Sequence, residues 1–257
     1  MPTGSSVKGK ADVRMATPDR PVMPPLLDVV LAPKGGSVLD RAKEGAAAGV
    51  FEAGTLVYRC DDRLAFALVL EPEVGPDRAA AMHLLAQLAF AEAIMSIAPP
   101  ETTVDLVWTG AIHLNGARVG QVEGAMGEPD ETGVPGWLAI ATTAVVESFK
   151  DGGRTPDRTS LTDELGPDLD PLDLIEAAAR QWTLWLYRWD REGLAPLARQ
   201  WTTHARTGTV ITSRSESGEP VEGAFLGLDE SGNALIENDG ATHVLSLLAL
   251  WSDGRAR

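Results

Sequence analysis

The residues that could bind a charged ligand are three arginines, two of which flank a pair of aspartates. Arg118 can hold a carboxylate or a phosphate through two parallel hydrogen bonds, or it can be an ordinary exposed arginine on a strand. Arg59 and Arg63 stand on either side of Asp61 and Asp62, where both arginines can equally be surface charges. Acidic side chains repel a phosphate unless they hold Mg²⁺, so this segment fits a solvated turn better than a phosphate site.

Nucleophiles and metal ligands are scarce in this sequence. Its single cysteine, Cys60, rules out an internal disulfide, and no histidine or asparagine motif surrounds it to make a catalytic thiol. His113 has no second histidine or cysteine at ligand spacing, so no metal site is predicted. We expect His83, His204 and His243 to be structural.

Two further patterns each have an ordinary interpretation. Trp182, Trp185 and Trp189 are spaced three and four residues apart, which places them on one helix face. Such a face usually packs into a core, and if it is exposed it becomes a docking patch for a partner. Residues 163–173 are rich in aspartate but lack the glycine and the terminal glutamate of a calcium-binding loop, so a solvated loop is predicted.

The charge balance narrows the classes of partner. With 22 basic and 37 acidic residues the net charge is −15, which argues against nucleic-acid or anionic-membrane binding. The longest apolar stretch, Ala79–Ala98, is interrupted by polar residues and predicts a buried helix rather than a membrane span. One cysteine is typical of a reducing compartment, so a cytoplasmic location is predicted.

Hydrophobic periodicity and turn residues predict the elements that must position these side chains. Helices are predicted over 37–49, 76–97, 171–192 and 194–205, and strands over 54–60, 64–70, 104–108, 111–114, 117–126 and 137–149. Asn115-Gly116 is a strong hairpin signal between two of these strands. Residues 151–170 are polar and rich in glycine, proline and aspartate, and we predict a surface loop there.

Composition divides the 257 residues into three parts. Residues 1–25 are rich in serine, lysine, glycine and proline, which predicts a flexible leader. Residues 26–207 carry the long helices and strands of a main domain. Residues 208–257 contain short β runs separated by glycine-containing turns, and this spacing predicts a small barrel domain.

The order of these elements resembles that of the biotin protein ligases and of the wider biotin/lipoate ligase family. Four segments carry the resemblance: SVLDRAK at 37–43 with the strand that follows, WTGAIHLNGARVGQV at 108–122, REGLAPLARQW at 191–201, and GEPVEGAFLGLDESGNALIENDGATHV at 218–244. The resemblance implies an α+β fold, in which a mixed β-sheet packed with helices, as in class II synthetases, precedes a small SH3-like barrel.

The resemblance also implies a two-step reaction. A carboxylic acid attacks the α-phosphate of ATP to give an acyl-adenylate, and a lysine of an acceptor protein then takes the acyl group. Active members carry a Gly-Arg-Gly-Arg loop where this chain has residues 58–63 without a glycine, and a Lys-Trp-Pro-Asn-Asp motif of which only Trp108 remains. A Gly-x-Gly-x-Asn run is replaced by Ala139–Thr143. The resemblance therefore predicts that ATP and Mg²⁺ are not used in the family's usual way.

A few positions match ligand-binding residues of the family. Arg118 matches a lysine that touches the acyl and phosphate groups, and Gln121 matches a glycine that lets backbone approach the ligand, with Gly120 beside it. Ser37 matches the first residue of the opening motif. The candidate ligand-binding residues are therefore Arg118, Trp108, Gly120, Gln121, Ser37, Arg59 and Arg63, with no catalytic residue assigned.

Two hypotheses follow from the retained fold markers and the missing ATP motifs, and whether the protein is an enzyme stays open between them. In the first, the protein is a non-catalytic accessory that binds a small carboxylic acid, such as biotin or lipoate, or a carrier domain. In the second, it is an active ligase or acyltransferase with an altered site, and it attaches biotin, lipoate or octanoate to a carrier-protein lysine. An acyl group taken from a carrier thioester would need no adenylate loop.

Overall fold

The computed structural model describes residues 20–148, 156–214 and 220–253. The helices are α1 (Val38–Ala47), α2 (Pro76–Ala79), α3 (Met82–Met95), α4 (Leu161–Leu165), α5 (Pro171–Glu192) and α6 (Leu194–Thr202). The strands are β1 (Asp28–Leu31), β2 (Thr55–Cys60), β3 (Arg63–Leu70), β4 (Val104–Leu106), β5 (Ala111–Leu114), β6 (Ala117–Met126), β7 (Leu138–Val145), β8 (Val210–Arg214), β9 (Pro220–Leu228), β10 (Ala234–Asn238), β11 (Ala241–Leu245) and β12 (Trp251–Asp253).

The larger sheet is mixed, with the strand order β1-β2-β3-β7-β6-β5-β4. Strand β1 runs parallel to β2, while the central strands are antiparallel to their neighbours. The β5–β6 hairpin turns through Asn115 and Gly116, whose φ angles of 49° and 87° are those of a tight left-handed turn. The mixed sheet packed with helices confirms the predicted α+β class.

Helices cover both faces of this sheet, because the side chains of each strand alternate between two apolar clusters. On β3, Ala65 and Ala67 face α1, which buries Ala42 against them. Phe66 and Leu68 face the opposite way and pack with α3, α5 and α6. The side facing α1 is lined with alanines, so the helix can lie close to the strands.

A second sheet of four antiparallel strands follows, in the order β11-β10-β9-β8, and it is consistent with a small barrel-like domain. It packs on the face of the larger sheet that α3, α5 and α6 cover. There the ring of Phe225 meets that of Trp201 edge-on, with ring centroids 6.0 Å apart. The chain then returns to the larger sheet, where β12 pairs with β6 in parallel. Trp251 lies so close to Gly124 that an added Cβ there would be 2.6 Å from its ring. The predicted leader falls largely on residues 1–19, outside the described residues.

The single helix predicted over 76–97 is wrong, because α2 ends before α3 begins. The carbonyl of Ala80 accepts a hydrogen bond from the indole of Trp251 at 3.2 Å and one from His83 N at 3.0 Å. This carbonyl therefore bonds to the amide three residues ahead and to a distant side chain. A contact with a residue 171 positions away leaves no local signal in the sequence.

The surface loop predicted over 151–170 contains the short helix α4. Ser160 caps this helix by accepting from Asp163 N at 3.1 Å, and Leu161 is fully buried. The Ser-x-x-Asp spacing is a helix-start signal that polar composition obscured. Residues 149–155 of the predicted strand and loop lie outside the described part. None of the helices among the described residues is long and apolar enough to cross a bilayer.

Candidate functional site

A cleft of about 530 Å³ lies at the end of the larger sheet where β3, β5, β6 and β7 come together. It is lined mostly by polar residues: Arg63, His113, Arg118, Val119, Gly120, Gln121, Thr143, Val145, Asp157 and Arg158. The register pairs Gln121 with Thr143 and Thr143 with Ala65. These side chains therefore lie on the face of the sheet that α1 covers, just beyond its apolar part.

Three arginines line this cleft, in a protein whose net charge is −15. Arg63 begins β3, Arg118 lies on β6, and Arg158 belongs to a segment that runs beside β6. All three are exposed. The lining also includes Asp157, so three positive charges stand against one negative charge. Arg63 and Arg118 by themselves outnumber the single carboxylate of the lining, so the cleft is suited to an anion.

Backbone hydrogen bonds bring Arg158 to the cleft. Arg118 N donates to Asp157 O at 2.9 Å, and Thr159 N donates to Arg118 O at 3.0 Å. This ladder continues the sheet where β7 has ended. A segment predicted as a surface loop thus supplies part of the cleft wall.

Gln121 connects Arg118 to the backbone at the inner end of the cleft. Its Oε1 accepts from Arg118 Nη2 at 2.7 Å, and its Nε2 donates to the carbonyls of Thr109 and Val122, each at 3.0 Å. Gly110 makes room for this amide, since a Cβ there would lie 2.5 Å from Gln121 Nε2. The Arg118 guanidinium is therefore held by a neutral partner, which leaves its charge uncompensated by that partner.

The floor of the cleft requires a glycine at position 120. A Cβ on Gly120 would lie 2.6 Å from the carbonyl oxygen of Thr143, a backbone atom of the neighbouring strand. Only a glycine lets β6 and β7 approach this closely without displacement.

The β2–β3 turn, where the resemblance implies a phosphate loop, is closed by Asp61. Its carboxylate accepts from Arg59 Nη1 at 2.7 Å, from Arg63 N at 3.2 Å and from Gly35 N at 3.3 Å. Asp61 N in turn donates to Arg63 O at 3.1 Å. Burial by itself would raise the pKa of Asp61, but these hydrogen bonds and the charge of Arg59 outweigh it and lower the pKa. The turn is thus a compact, ionised structure.

Of the seven candidate residues, four line the cleft: Arg63, Arg118, Gly120 and Gln121. Ser37 lies elsewhere and caps α1 by accepting from Asp40 N at 3.0 Å. Trp108 is buried in the core, and its indole donates to Gly232 O in a turn of the second sheet at 3.1 Å. Arg59 is paired with Asp61 in the turn.

Among the ionisable residues of the lining, sequence reasoning missed three: His113, Asp157 and Arg158. Burial lowers the pKa of His113; Asp105 opposes this effect, while the charges of Arg118 and Arg206 add to it. His113 is therefore mostly neutral at pH 7. Its position two residues before the Asn115-Gly116 turn was visible in the sequence, but its partly buried place in the wall was not.

Two other reactive groups, Cys60 and His83, lie outside the cleft lining. Burial raises the pKa of the Cys60 thiol to about 11, so it is not a thiolate nucleophile at neutral pH. Burial lowers the pKa of His83 to about 4, so this fully buried imidazole is neutral. Within the described ranges, no three histidine, cysteine or carboxylate side chains are grouped to hold a metal ion.

The profile of the Biotin/lipoate A/B protein ligase family matches residues 23–203. That match covers well over half of the 257 residues, so the chain belongs to this family. The match includes β1 through α6 and ends just before the second sheet.

Individual relatives agree with this assignment. A Biotin--[acetyl-CoA-carboxylase] ligase from Paracoccus denitrificans is 28% identical over 195 residues, which is 73% of this chain and 79% of the relative. A solved biotin protein ligase-like protein of unknown function from Silicibacter sp. TM1040 is 35% identical, with a TM-score of 0.79 over 90% of this chain and 99% of that chain.

A more distant structure shows the fold alone. Biotin protein ligase from Aquifex aeolicus in complex with biotin and ATP superposes with a TM-score of 0.67 at 17% identity. The superposition covers 85% of this chain and 95% of the Aquifex chain. Most of that ligase's length therefore has a counterpart here.

Proposed function

We propose that this protein binds a small carboxylic acid in the arginine-lined cleft and does not convert it to an acyl-adenylate. The observation that carries the proposal is the contrast between the cleft and the neighbouring β2–β3 turn. Arg118 and Arg63 are exposed at the cleft, whereas the turn between β2 and β3 has its carboxylate and backbone groups engaged with one another. Charged hydrogen bonds from arginine suit a carboxylate well.

The β2–β3 turn supports the second half of the proposal. A loop that cradles phosphates presents several backbone N–H groups to the ligand. Here the N–H groups of Asp61 and Arg63 are used within the turn, and the Arg59–Asp61 pair offers no net positive charge to a triphosphate. The residues present therefore do not fit Mg-ATP in the family's usual place.

The proposed role is that of an accessory protein that presents or sequesters the acid beside a carrier protein in the cytoplasm. A carrier is the natural partner to consider, because the Paracoccus relative is named as a ligase for acetyl-CoA carboxylase. We also propose that a domain boundary lies near residue 207 and that the second sheet belongs to a small domain of its own.

Calorimetry with biotin, lipoate and octanoate, each with and without Mg-ATP, tests the proposal. We expect at least one acid to bind with the same heat in both conditions and without pyrophosphate release. Binding that needs ATP, accompanied by pyrophosphate, would overturn the non-catalytic proposal. Absence of binding by all three acids would overturn the ligand class.

A second candidate is an active ligase or acyltransferase with an altered site, favoured by the positive charge that Arg118 keeps at the cleft and by the name of the Paracoccus relative. In a transfer from a thioester, the carrier lysine nitrogen bonds to the acyl carbon, the carbon–sulfur bond breaks, and the thiol leaves with the proton. Incubating the protein and an acetyl-CoA carboxylase carrier with labelled biotin and ATP, or with an octanoyl thioester, distinguishes this candidate. A mass increase of the carrier lysine would support it.

A further inference from the structure

The hydrogen bonds of Gln121 give this residue a role in positioning the Arg118 side chain. Its amide oxygen accepts from Arg118 at 2.7 Å, and its amide nitrogen donates to two backbone carbonyls. An amide has one strong acceptor group and two N–H donors, so each part of the Gln121 amide is engaged. The amide is thus fixed, and it fixes one end of the guanidinium.

The cleft also contains an acidic side chain, which would be a different kind of partner for an arginine. Asp157 lines the same cleft, and the protein as a whole carries 37 acidic residues. An arginine paired with a carboxylate offers little net charge to a ligand, as Arg59 illustrates in its 2.7 Å pair with Asp61. A neutral amide orients Arg118 without cancelling its charge.

From this geometry we infer that Gln121 is the specificity-determining residue of the cleft. By holding Arg118 toward the cleft through a neutral hydrogen bond, it makes the site prefer a carboxylate over the uncharged amide of the same molecule. The inference rests on the proposed function, since it concerns the acid bound in the same cleft. It adds the basis on which the acid is selected.

Two substitutions of Gln121 separate its role in orienting Arg118 from the effect of charge beside Arg118, and a third substitution serves as the control. Gln121→Met keeps the side-chain length and removes the polar contacts. Gln121→Glu keeps an oxygen partner for Arg118 but places a negative charge beside it. Gln200→Met is the matched control, because Gln200 is a half-buried glutamine on α6 that does not line the cleft.

The first measurement is the ratio of the affinities for biotin and for biotin amide, and likewise for octanoate and octanamide, by calorimetry. We expect the unchanged protein and Gln200→Met to prefer the carboxylate by about tenfold, as one charge-assisted hydrogen bond would give. Gln121→Met and Gln121→Glu should each lose about fivefold of that preference. A ratio unchanged by Gln121→Met would overturn the inference, since a merely structural residue alters both affinities alike.

The second measurement needs no ligand. Phenylglyoxal modifies arginine side chains, and peptide mass spectrometry reports its rate at Arg118. The rate should rise in Gln121→Met and stay low in Gln121→Glu, where Arg118 still has a partner. Equal rates at Arg118 in Gln121→Met and the unchanged protein would overturn the inference whatever the binding result. Failure of every acid to bind the unchanged protein would instead overturn the proposed function.

Discussion

The β2–β3 turn and the neighbouring end of β6 both carry arginine at one end of the larger sheet, but the surroundings of the two arginines differ. At the turn, the Arg59 side chain is 12% exposed and paired with the Asp61 carboxylate at 2.7 Å. On β6, Arg118 is exposed and held by the neutral Gln121 amide at a similar distance. The partner, rather than the arginine, decides whether positive charge is presented to a ligand.

This difference bears on function because the resemblance to biotin/lipoate ligases places the phosphate loop of active members at the turn, and a residue that touches acyl and phosphate groups at the position of Arg118. In this protein the turn is neutralised internally, while the cleft beside β6 keeps a surplus of positive charge. We expect the largest effect, on the free energy of unfolding, from a substitution of Gly120 at the floor of the cleft. The smallest effect, on the pH dependence of binding, should come from His113.

Gly120→Ala should weaken folding more than any substitution of the two arginines or of Asp61. The new Cβ would lie 2.6 Å from Thr143 O, and a backbone atom cannot move aside without disturbing the β6–β7 ladder. We expect a loss of about 3 kcal/mol in the free energy of unfolding, measured by urea denaturation. Gly136→Ala is the control, because nothing lies within 4 Å of its added Cβ. Equal stability of the two variants would show that the floor of the cleft tolerates a side chain.

Arg118→Met and Arg59→Met compare the two regions directly. We expect Arg118→Met to weaken carboxylate binding by about tenfold, because one charged donor is removed from the cleft. Arg59→Met should leave the affinity within about twofold, because Arg59 does not line the cleft. Calorimetry with whichever of biotin, lipoate or octanoate binds the unchanged protein provides the measurement. A larger loss from Arg59→Met than from Arg118→Met would reverse the comparison.

Asp61→Asn tests whether the turn is stabilised by its ionised carboxylate. Removing the charge weakens the hydrogen bonds from Arg59, Arg63 N and Gly35 N, and we expect a loss of about 1 kcal/mol at pH 7 in urea denaturation. Because the pKa of Asp61 is lowered in the folded state, its stabilisation is present above the ordinary value of 3.8 and is lost as the pH falls through the folded pKa. The difference between the two proteins should therefore shrink in acid. Asp190→Asn, on an exposed part of α5, should change neither the stability nor its pH dependence.

The smallest expected effect is a pH dependence of binding that comes from His113. The charged groups that act on it are Asp105, Arg118 and Arg206, and its pKa lies below 6.5. As the pH falls below 6.5 toward this lowered pKa, protonation of His113 adds positive charge to the wall, and carboxylate affinity should rise by about twofold. His83, with a pKa of about 4, stays neutral above about pH 5. Persistence of the rise in His113→Gln would assign it to another group.

The fold was predictable in most of its parts, because local patterns of the sequence carry it. The Asn-Gly hairpin, the Ser37 cap of α1 and the span of α5 each rest on signals within a few residues. The break between α2 and α3 could not be predicted in the same way. At the break, Ala80 O accepts a hydrogen bond from the indole of Trp251, which comes from the other end of the chain.

The candidate site was predictable only in part. The match to the family pointed to Arg118, Gly120 and Gln121, and the structure brings these three to one cleft together with Arg63. Arg158 lies in a polar stretch with no strand pattern, and it reaches the cleft through backbone pairing with β6. Pairing of this kind depends on where β7 ends, which the predicted strand over 137–149 did not locate.

The sequence by itself determined the alternation of apolar residues that builds the mixed sheet, the helices that cover it and the absence of glycine between β2 and β3. Those features depend on residue type and spacing, and each acts over a short range. Tertiary structure alone decided the partner of each arginine: a carboxylate for Arg59 and an amide for Arg118. The charge that a side chain presents depends on what folding places within about 3 Å of it, and side-chain order along the chain does not fix that distance.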